Sequence, residues 1–234
     1  MQVQAIKTRI FRENEDLASF VIGHIKKISE KSILVITSKI VSLAEGRVVE
    51  YKNEKQKNKI IEAESELAIK TKLAWLSIKD GMVMANAGID ESNAKGKLIL
   101  LPKDSFASAE LIRKKLKKIF KIKNLGVVIS DSRVFPLRAG VVGVALGYAG
   151  FEGIRNYVGQ KDIFGRVLKM SKTNIADSLA TSGVLCMGEG REQQPLAIIE
   201  NAPVLFGEKV NKKELIISPK EDLYLPLLGS IFKK

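Results

Sequence analysis

Apolar and polar residues alternate at positions 3–10, which predicts a first strand. Asn14 then reads as a helix N-cap. Glu15 and Asp16 follow it in the first turn, where carboxylates suit the positive helix end. Leu17, Phe20, Val21 and Ile25 make an apolar stripe at helical spacing. The branched apolar run SILVIT, Ser32–Thr37, predicts a buried strand that ends in Ser38-Lys39. Glu45-Gly46-Arg47 is a turn, and the Glu, Lys and Ala content of 54–72 predicts a helix. Residues 75–85 predict two short strands split at Lys79-Asp80-Gly81, followed by a polar loop over 86–96 and a strand over 98–101.

The second half continues in the same mixed manner. Ser105 or Ser108 caps a helix that runs to about Phe120. Ala109, Ile112, Leu116 and Ile119 form its inner face, and Arg113, Lys114, Lys115, Lys117 and Lys118 its solvated one. The run LGVVIS predicts a strand leading into Asp131. The stretch 141–146 is apolar and punctuated by glycine, which predicts close backbone packing. Thr173 or Asn174 caps a helix through Ala180 and Leu185, and 196–199 is a strand. Residues 209–234 carry no clear pattern. This order is not a regular strand–helix–strand series, so the expected class is α+β.

The chain has 234 residues, enough to bury a core in one domain or in one domain with two lobes. With 45% apolar and 28% charged residues it has the composition of a soluble globular protein, which excludes disordered, collagen-like and coiled-coil classes. Cys186 is the only cysteine, so no disulfide or multi-cysteine metal site can form within the chain, and it reads as a small buried apolar residue. His24 is the only histidine, which excludes two-histidine chemistry. Beside the apolar stripe it reads as a packed or surface residue.

The net charge of +13 suggests anionic partners. Most of the surplus is lysine on expected helix faces, and only 6% of residues are aromatic, so platforms for stacking single strands are sparse. A nucleic-acid-binding module built on the lysine-rich helix is kept as an alternative reading. The longest uncharged apolar stretch, 139–151, is too short to span a bilayer, and MQVQAIKTRI is no signal peptide, so a cytoplasmic protein is expected.

P-loop, dinucleotide-binding and nucleophile-elbow motifs are absent. Polar clusters instead follow apolar strands in three places. NAGIDESN gathers Asn86, Asp90, Glu91, Ser92 and Asn93. Ser130-Asp131-Ser132 ends the LGVVIS strand, with Arg133 and Arg138 close behind. The third cluster is the loop 187–194. Each offers oxygen ligands of the kind a hard divalent cation takes.

Taken in order, VITSKIVSLAEGR, NAGIDESN, LLPKDSFASAELIRKKL, GVVISDSRVFPLRAGVVGVALGYAG, VGQKDIFGRVL, NIADSLATSGVLCMGEG and PLAII resemble the coenzyme F420-0:γ-glutamyl ligase family over about residues 7–206. The resemblance implies one γ-glutamyl ligase domain over 1–234, with mixed, largely antiparallel sheets and helices, in a homodimer. It implies a ligase that joins L-glutamate to a coenzyme carboxylate, with GTP as co-substrate and two Mg²⁺ or Mn²⁺ ions. The acceptor is F420-0 or, in the alternative, a folate.

Carried over by motif, Asp90 and Asp131 would hold one metal and Ser132 and Glu189 the second. Asp90, Asp131 and Arg138 would serve the chemistry. Ser38, Lys39 and Asn93 would contact the nucleotide, with Met187, Gly188 and Gly190 in the loop that closes on it. Residues 8–11 would line the same site. Two departures stand out: Leu43 replaces a lysine common in the family, and Lys7-Thr8-Arg9-Ile10 lacks its proline-containing run. The intact Asp90, Asp131 and Glu189 argue against a catalytically dead relative kept as a scaffold.

Overall fold

Local sequence explains most element boundaries in the computed structural model of the chain, which describes residues 1–228. Strand β1 (Gln2–Ile6) is the first part of the predicted 3–10 strand. Helix α1 (Leu17–His24) is capped by Asp16 rather than Asn14. The Asp16 carboxylate accepts from the Ser19 N–H at 2.8 Å, while Asn14 takes a φ of +61° in the turn before it. Strand β2 (Ser32–Thr37) has the predicted bounds and runs straight into α2 (Ser38–Ala44). A short β3 (Val48–Val49) follows.

Helix α3 (Glu54–Ala63) stops short of the predicted Lys72. Lys79 and Arg47 both donate to the Glu64 carboxylate, at 2.6 and 2.8 Å, and the chain turns there into strand β4 (Leu67–Lys70). Pairing with β5 (Trp75–Lys79) overrides the helical propensity of this lysine- and alanine-rich stretch. The β5–β6 hairpin, with β6 at Met82–Ala85, turns at Asp80-Gly81, and both residues have positive φ.

After β7 (Leu98–Ile99), the N-cap of helix α4 (Ser105–Phe120) is Asp104, which accepts from the Ala107 N–H at 2.8 Å; neither predicted serine fills that place. Strand β8 (Leu125–Val134) extends past Asp131 instead of ending before it. It is followed by β9 (Val141–Ala149), β10 (Ile154–Asn156), β11 (Lys172–Asn174), α5 (Ile175–Met187) capped by Asn174, and β12 (Leu196–Glu200).

The central sheet has the order β1-β12-β2-β8-β9. Only β2 and β8 run parallel, and the other three pairs are antiparallel. A three-stranded antiparallel sheet, β4-β5-β6, and two two-stranded ribbons complete the α+β fold. Both faces of β2 are covered. Leu34 and Ile36 meet Phe20, Ile40, Ile112 and Leu116 of α1, α2 and α4. Ile33 and Val35 meet Ile175, Ala176, Leu179 and Ala180 of α5. Among the described residues no helix is long and apolar enough to cross a membrane.

Three expectations are corrected by burial. Arg113 is not on the solvated face of α4. It is 1% exposed, donating to the Leu125 carbonyl at 2.8 Å and to Glu208 at 2.8 and 3.1 Å. Ile119, assigned to the inner face, is 48% exposed. Cys186 is exposed, because α5 packs through Ala176, Ala180, Gly183 and Met187 and residue 186 falls off that stripe. Of the tail 209–234, residues 229–234 lie outside the described residues.

Candidate active site

The topology brings several chain ends to one edge. β2 and β8 are parallel, and their pairing ends at Thr37 and Ser130, so Ser38, just past β2, and Asp131, within β8, stand side by side at the carboxyl end of the parallel pair. β12 is antiparallel to β2 and begins at Leu196, opposite Ile36, so the loop 187–195 enters at that edge. β1 leaves the sheet there too, with Ile6 opposite Leu196. The Thr8 N–H donates to the Gln193 carbonyl, and the Thr37 N–H to the Pro195 carbonyl, at 2.9 and 3.0 Å. A β-bulge at Ile129/Ser130 bends β8 and β9 just before Asp131.

Between these ends lies a cleft of about 720 Å³. Ser38, Lys39, Asp90, Asn93, Asp131, Ser132, Met187, Gly188, Glu189 and Gly190 all line it, as do residues 8–11 and Leu43. Arg138 does not. It lies at the exposed tip of the β8–β9 hairpin, outside the lining.

Each acidic group has its own partner. Lys39 Nζ stands 2.6 Å from Asp90 Oδ2 and 2.9 Å from Ser92 Oγ. The Ser92 N–H donates to Asp90 Oδ1 at 2.6 Å, which folds the DES turn around the carboxylate. Ser38 Oγ donates to Asp131 Oδ1 at 3.1 Å, and Arg133 holds the other oxygen of Asp131. Ser132 Oγ donates to Glu189 Oε1 at 2.5 Å. Among the described residues no three Asp, Glu, His or Cys side chains stand close enough together to hold one ion. The donors come as oxygen pairs that bound phosphate oxygens or water would have to complete.

The NAG turn, Asn86–Gly88, aims this loop at the cleft. Asn86, Ala87 and Gly88 all have positive φ, at 52, 55 and 70°. A side chain with Cβ at Gly88 would come within 2.7 Å of Leu101. Asn86 Oδ1 accepts from the Trp75 N–H at 3.0 Å, and Ser77 Oγ accepts from the buried Ala87 N–H at 2.7 Å. Asn86 and Ala87 sit in a region non-glycine residues seldom occupy, and these bonds hold them there.

His24 takes no part in the cleft lining. Its Nε2 accepts from the Arg9 N–H, so Nδ1 carries the proton and donates to the Phe20 carbonyl at 2.8 Å. Arg133 is a site residue without a role assigned from sequence. It follows Asp131 by two positions on the same strand, so it shares a face with it; that period-of-two spacing was the available signal. Burial pushes the Arg133 guanidinium down to about 10, which leaves it charged at neutral pH. Arg9, Lys95, Arg191 and Glu192 also line the cleft, giving five cations with Lys39 and Arg133 against Asp90, Asp131, Glu189 and Glu192. Such a mixed lining suits a polyanion bound with counter-cations.

Residues 5–201 match the model of a family described as F420-0:Gamma-glutamyl ligase. The chain is 35% identical to the coenzyme F420:L-glutamate ligase of Methanococcus maripaludis, over 96% of this chain and 97% of that protein. It is 35% identical to the protein of that name in Methanocaldococcus jannaschii, over 95% of each chain. With the one in Archaeoglobus fulgidus it shares 31% identity over 92% of each.

Proposed function

The chain belongs to the F420-0:γ-glutamyl ligase family, and from that premise we propose that it joins L-glutamate to the carboxylate of coenzyme F420-0, driven by GTP. One observation carries the reading: Ser38, Lys39, Asp90, Asp131, Ser132 and Glu189, spread over some 150 positions of sequence, line one cleft.

A carboxylate is a poor electrophile. In the proposed reaction its oxygen attacks the γ-phosphorus of GTP, GDP leaves, and an acyl phosphate forms. The glutamate amine then attacks the acyl carbon, inorganic phosphate leaves, and the amine gives up its proton. The protein's task is to position three anionic reactants and offset their charge. Lys39 and Arg133 supply fixed cations on either side of the phosphate position. Ser38 and Ser132 orient the carboxylates of Asp131 and Glu189. The loop 187–194 closes one side of the cleft.

The donor chemistry fits a hard divalent cation, because every candidate ligand is oxygen and Mg²⁺ binds through one or two carboxylates plus substrate phosphates. Asp90 and Asp131 would hold one ion, and Ser132 and Glu189 a second. Bound there, Mg²⁺ or Mn²⁺ would neutralise charge on the β- and γ-phosphates. Lys39 would have to release Asp90 for the first site to fill.

We read the enzyme as a cytoplasmic homodimer. Val134, Phe135, Leu137, Val141 and Val142 leave an apolar patch exposed on the β8–β9 hairpin, which a second copy would cover. The nucleic-acid alternative loses its support on α4, where Lys114, Lys115 and Lys117 pair with Glu110, Asp16 and Glu208.

The test is to incubate the chain with GTP, L-glutamate and Mn²⁺ or Mg²⁺, offering F420-0 and tetrahydrofolate in separate reactions, and to weigh the products. One added glutamyl residue on F420-0, dependent on GTP and metal, is the expected result. Glutamylation of tetrahydrofolate alone would move the acceptor to folates. No product with either acceptor would overturn the ligase reading.

A further inference from the structure

Beside the cleft lies a second cavity of about 560 Å³. Strands β6 and β9, the first turn of α4 and residues 212–216 of the C-terminal segment enclose it. Leu101, Arg133 and Val134 line both cavities and form the wall between them. The lining is largely apolar, with Met82, Val83, Phe106, Leu146 and Ile216 around the space. Val83 and Ile216 are 43% and 50% exposed, so the cavity opens to solvent along their edge.

The charged groups of this lining are not equivalent. Asp104 caps α4 and pairs with Lys212 at 3.0 Å. Asp177 accepts from the Ala145 N–H at 2.8 Å and from Asn174 at 2.6 Å. The carboxylates of Asp104 and Asp177 are therefore satisfied within the protein, and the third, Asp80, stands in the exposed β5–β6 turn. Arg133 is not satisfied. It is 7% exposed, and one terminal nitrogen serves Asp131, yet its Nε–H is buried with no partner among the described residues. A buried donor left unpaired destabilises the protein, a cost that an accepting ligand removes. Arg133 thus offers an unmet donor in the wall between an apolar chamber and the reaction cleft.

We propose that the second cavity is the acceptor's ring pocket, taking a flat, largely apolar ring system whose anionic tail passes Arg133 into the cleft. This deepens the ligase reading and rests on it for the direction of the tail. The apolar walls bury the ring faces, and the Arg133 Nε–H pairs with an oxygen of the tail. That geometry presents the tail's far carboxylate beside Asp131.

The test is direct binding. Flavin mononucleotide (a tricyclic ring with a phosphate tail), riboflavin (the same ring without that charge) and F420-0 are titrated by fluorescence into wild type, Val83→Trp and Arg133→Gln. Val83→Trp fills the cavity from its open edge, away from the cleft lining, so the fold is kept. It is expected to weaken flavin mononucleotide and F420-0 by about tenfold or more while KM for GTP stays unchanged. Arg133→Gln is expected to weaken flavin mononucleotide far more than riboflavin. Absence of saturable ring binding to wild type, or wild-type affinity in Val83→Trp, would overturn the proposal. The ligase reading fails separately, if wild type binds F420-0 yet adds no glutamate to it.

Discussion

At the scale of single residues, partner burial decides what a substitution does. Asp90 and Asp131 stand in the same cleft, but Asp90 pairs with the partly exposed Lys39 and Asp131 with the buried Arg133. An exposed pair is worth about 0–1 kcal/mol. Breaking a buried one costs about 3–5 kcal/mol, because a charge is left without compensation. Asp90→Asn should therefore lower turnover about a hundredfold or more with little loss of stability. Asp131→Asn should lose both activity and stability. Steady-state kinetics beside denaturant unfolding checks the contrast.

Glu208 gives a prediction of the same scale in pH. Hydrogen bonds from Arg113 and Lys117 bring its carboxyl down to about 2 from an ordinary 4.5. A lowered folded-state pKa contributes stability above the unfolded value, and that contribution is lost as pH falls from about 4.5 to 2. Glu208 is two-thirds exposed, so screening limits the effect to about 1 kcal/mol or less. Unfolding measured at pH 6 and at pH 3 should show a smaller acid loss for Glu208→Gln than for wild type.

At the scale of elements, glycines set how closely helices approach the sheet. A Cβ at Gly143 would lie 2.6 Å from Val184 and 2.7 Å from the Ala180 carbonyl, so Gly143→Ala must push α5 off β9. A cost of about 1–3 kcal/mol is expected, which lowers Tm by about 2–12 °C in a chain of this size. Calorimetry reads the stability, and KM for GTP should rise as well, because α5 carries Met187 and the loop after it. This close packing was legible from the glycine-punctuated 141–146 stretch.

Elements with strong periodicity were legible too. SILVIT and the Asp80-Gly81 hairpin stand where the pattern puts them. What failed did so for tertiary reasons. Residues 67–70 carry helix-forming composition, but β5 captures them as a strand edge. Arg113 looks solvated by residue type and is buried because the Leu125 carbonyl and Glu208 satisfy it. The three polar loops could be found one by one, whereas their meeting depends on a parallel β2–β8 pair that no local window contains.

For the whole molecule, the charge of +13 acts locally rather than as one field. Lys114, Lys115 and Lys117 of α4 are tied to carboxylates, while the cleft keeps five cations among four acidic side chains. Such a site binds a nucleotide well only together with the cations that offset its phosphates, so GTP and metal should bind synergistically. A ligand at a hundred times its Kd stabilises the folded state by about 2.7 kcal/mol. For a chain of this length that raises Tm by about 5–10 °C. GTP with Mn²⁺ should give this shift, and either alone should give much less, since without metal Lys39 and Arg133 stay paired with Asp90 and Asp131 and are not free to offset the phosphates. Asp90→Asn should cut the combined shift while leaving the small GTP-only shift in place. Equal shifts with and without metal would mean that Lys39, Arg133 and their neighbours carry the nucleotide alone. The acidic residues would then have to be explained by something other than a cation.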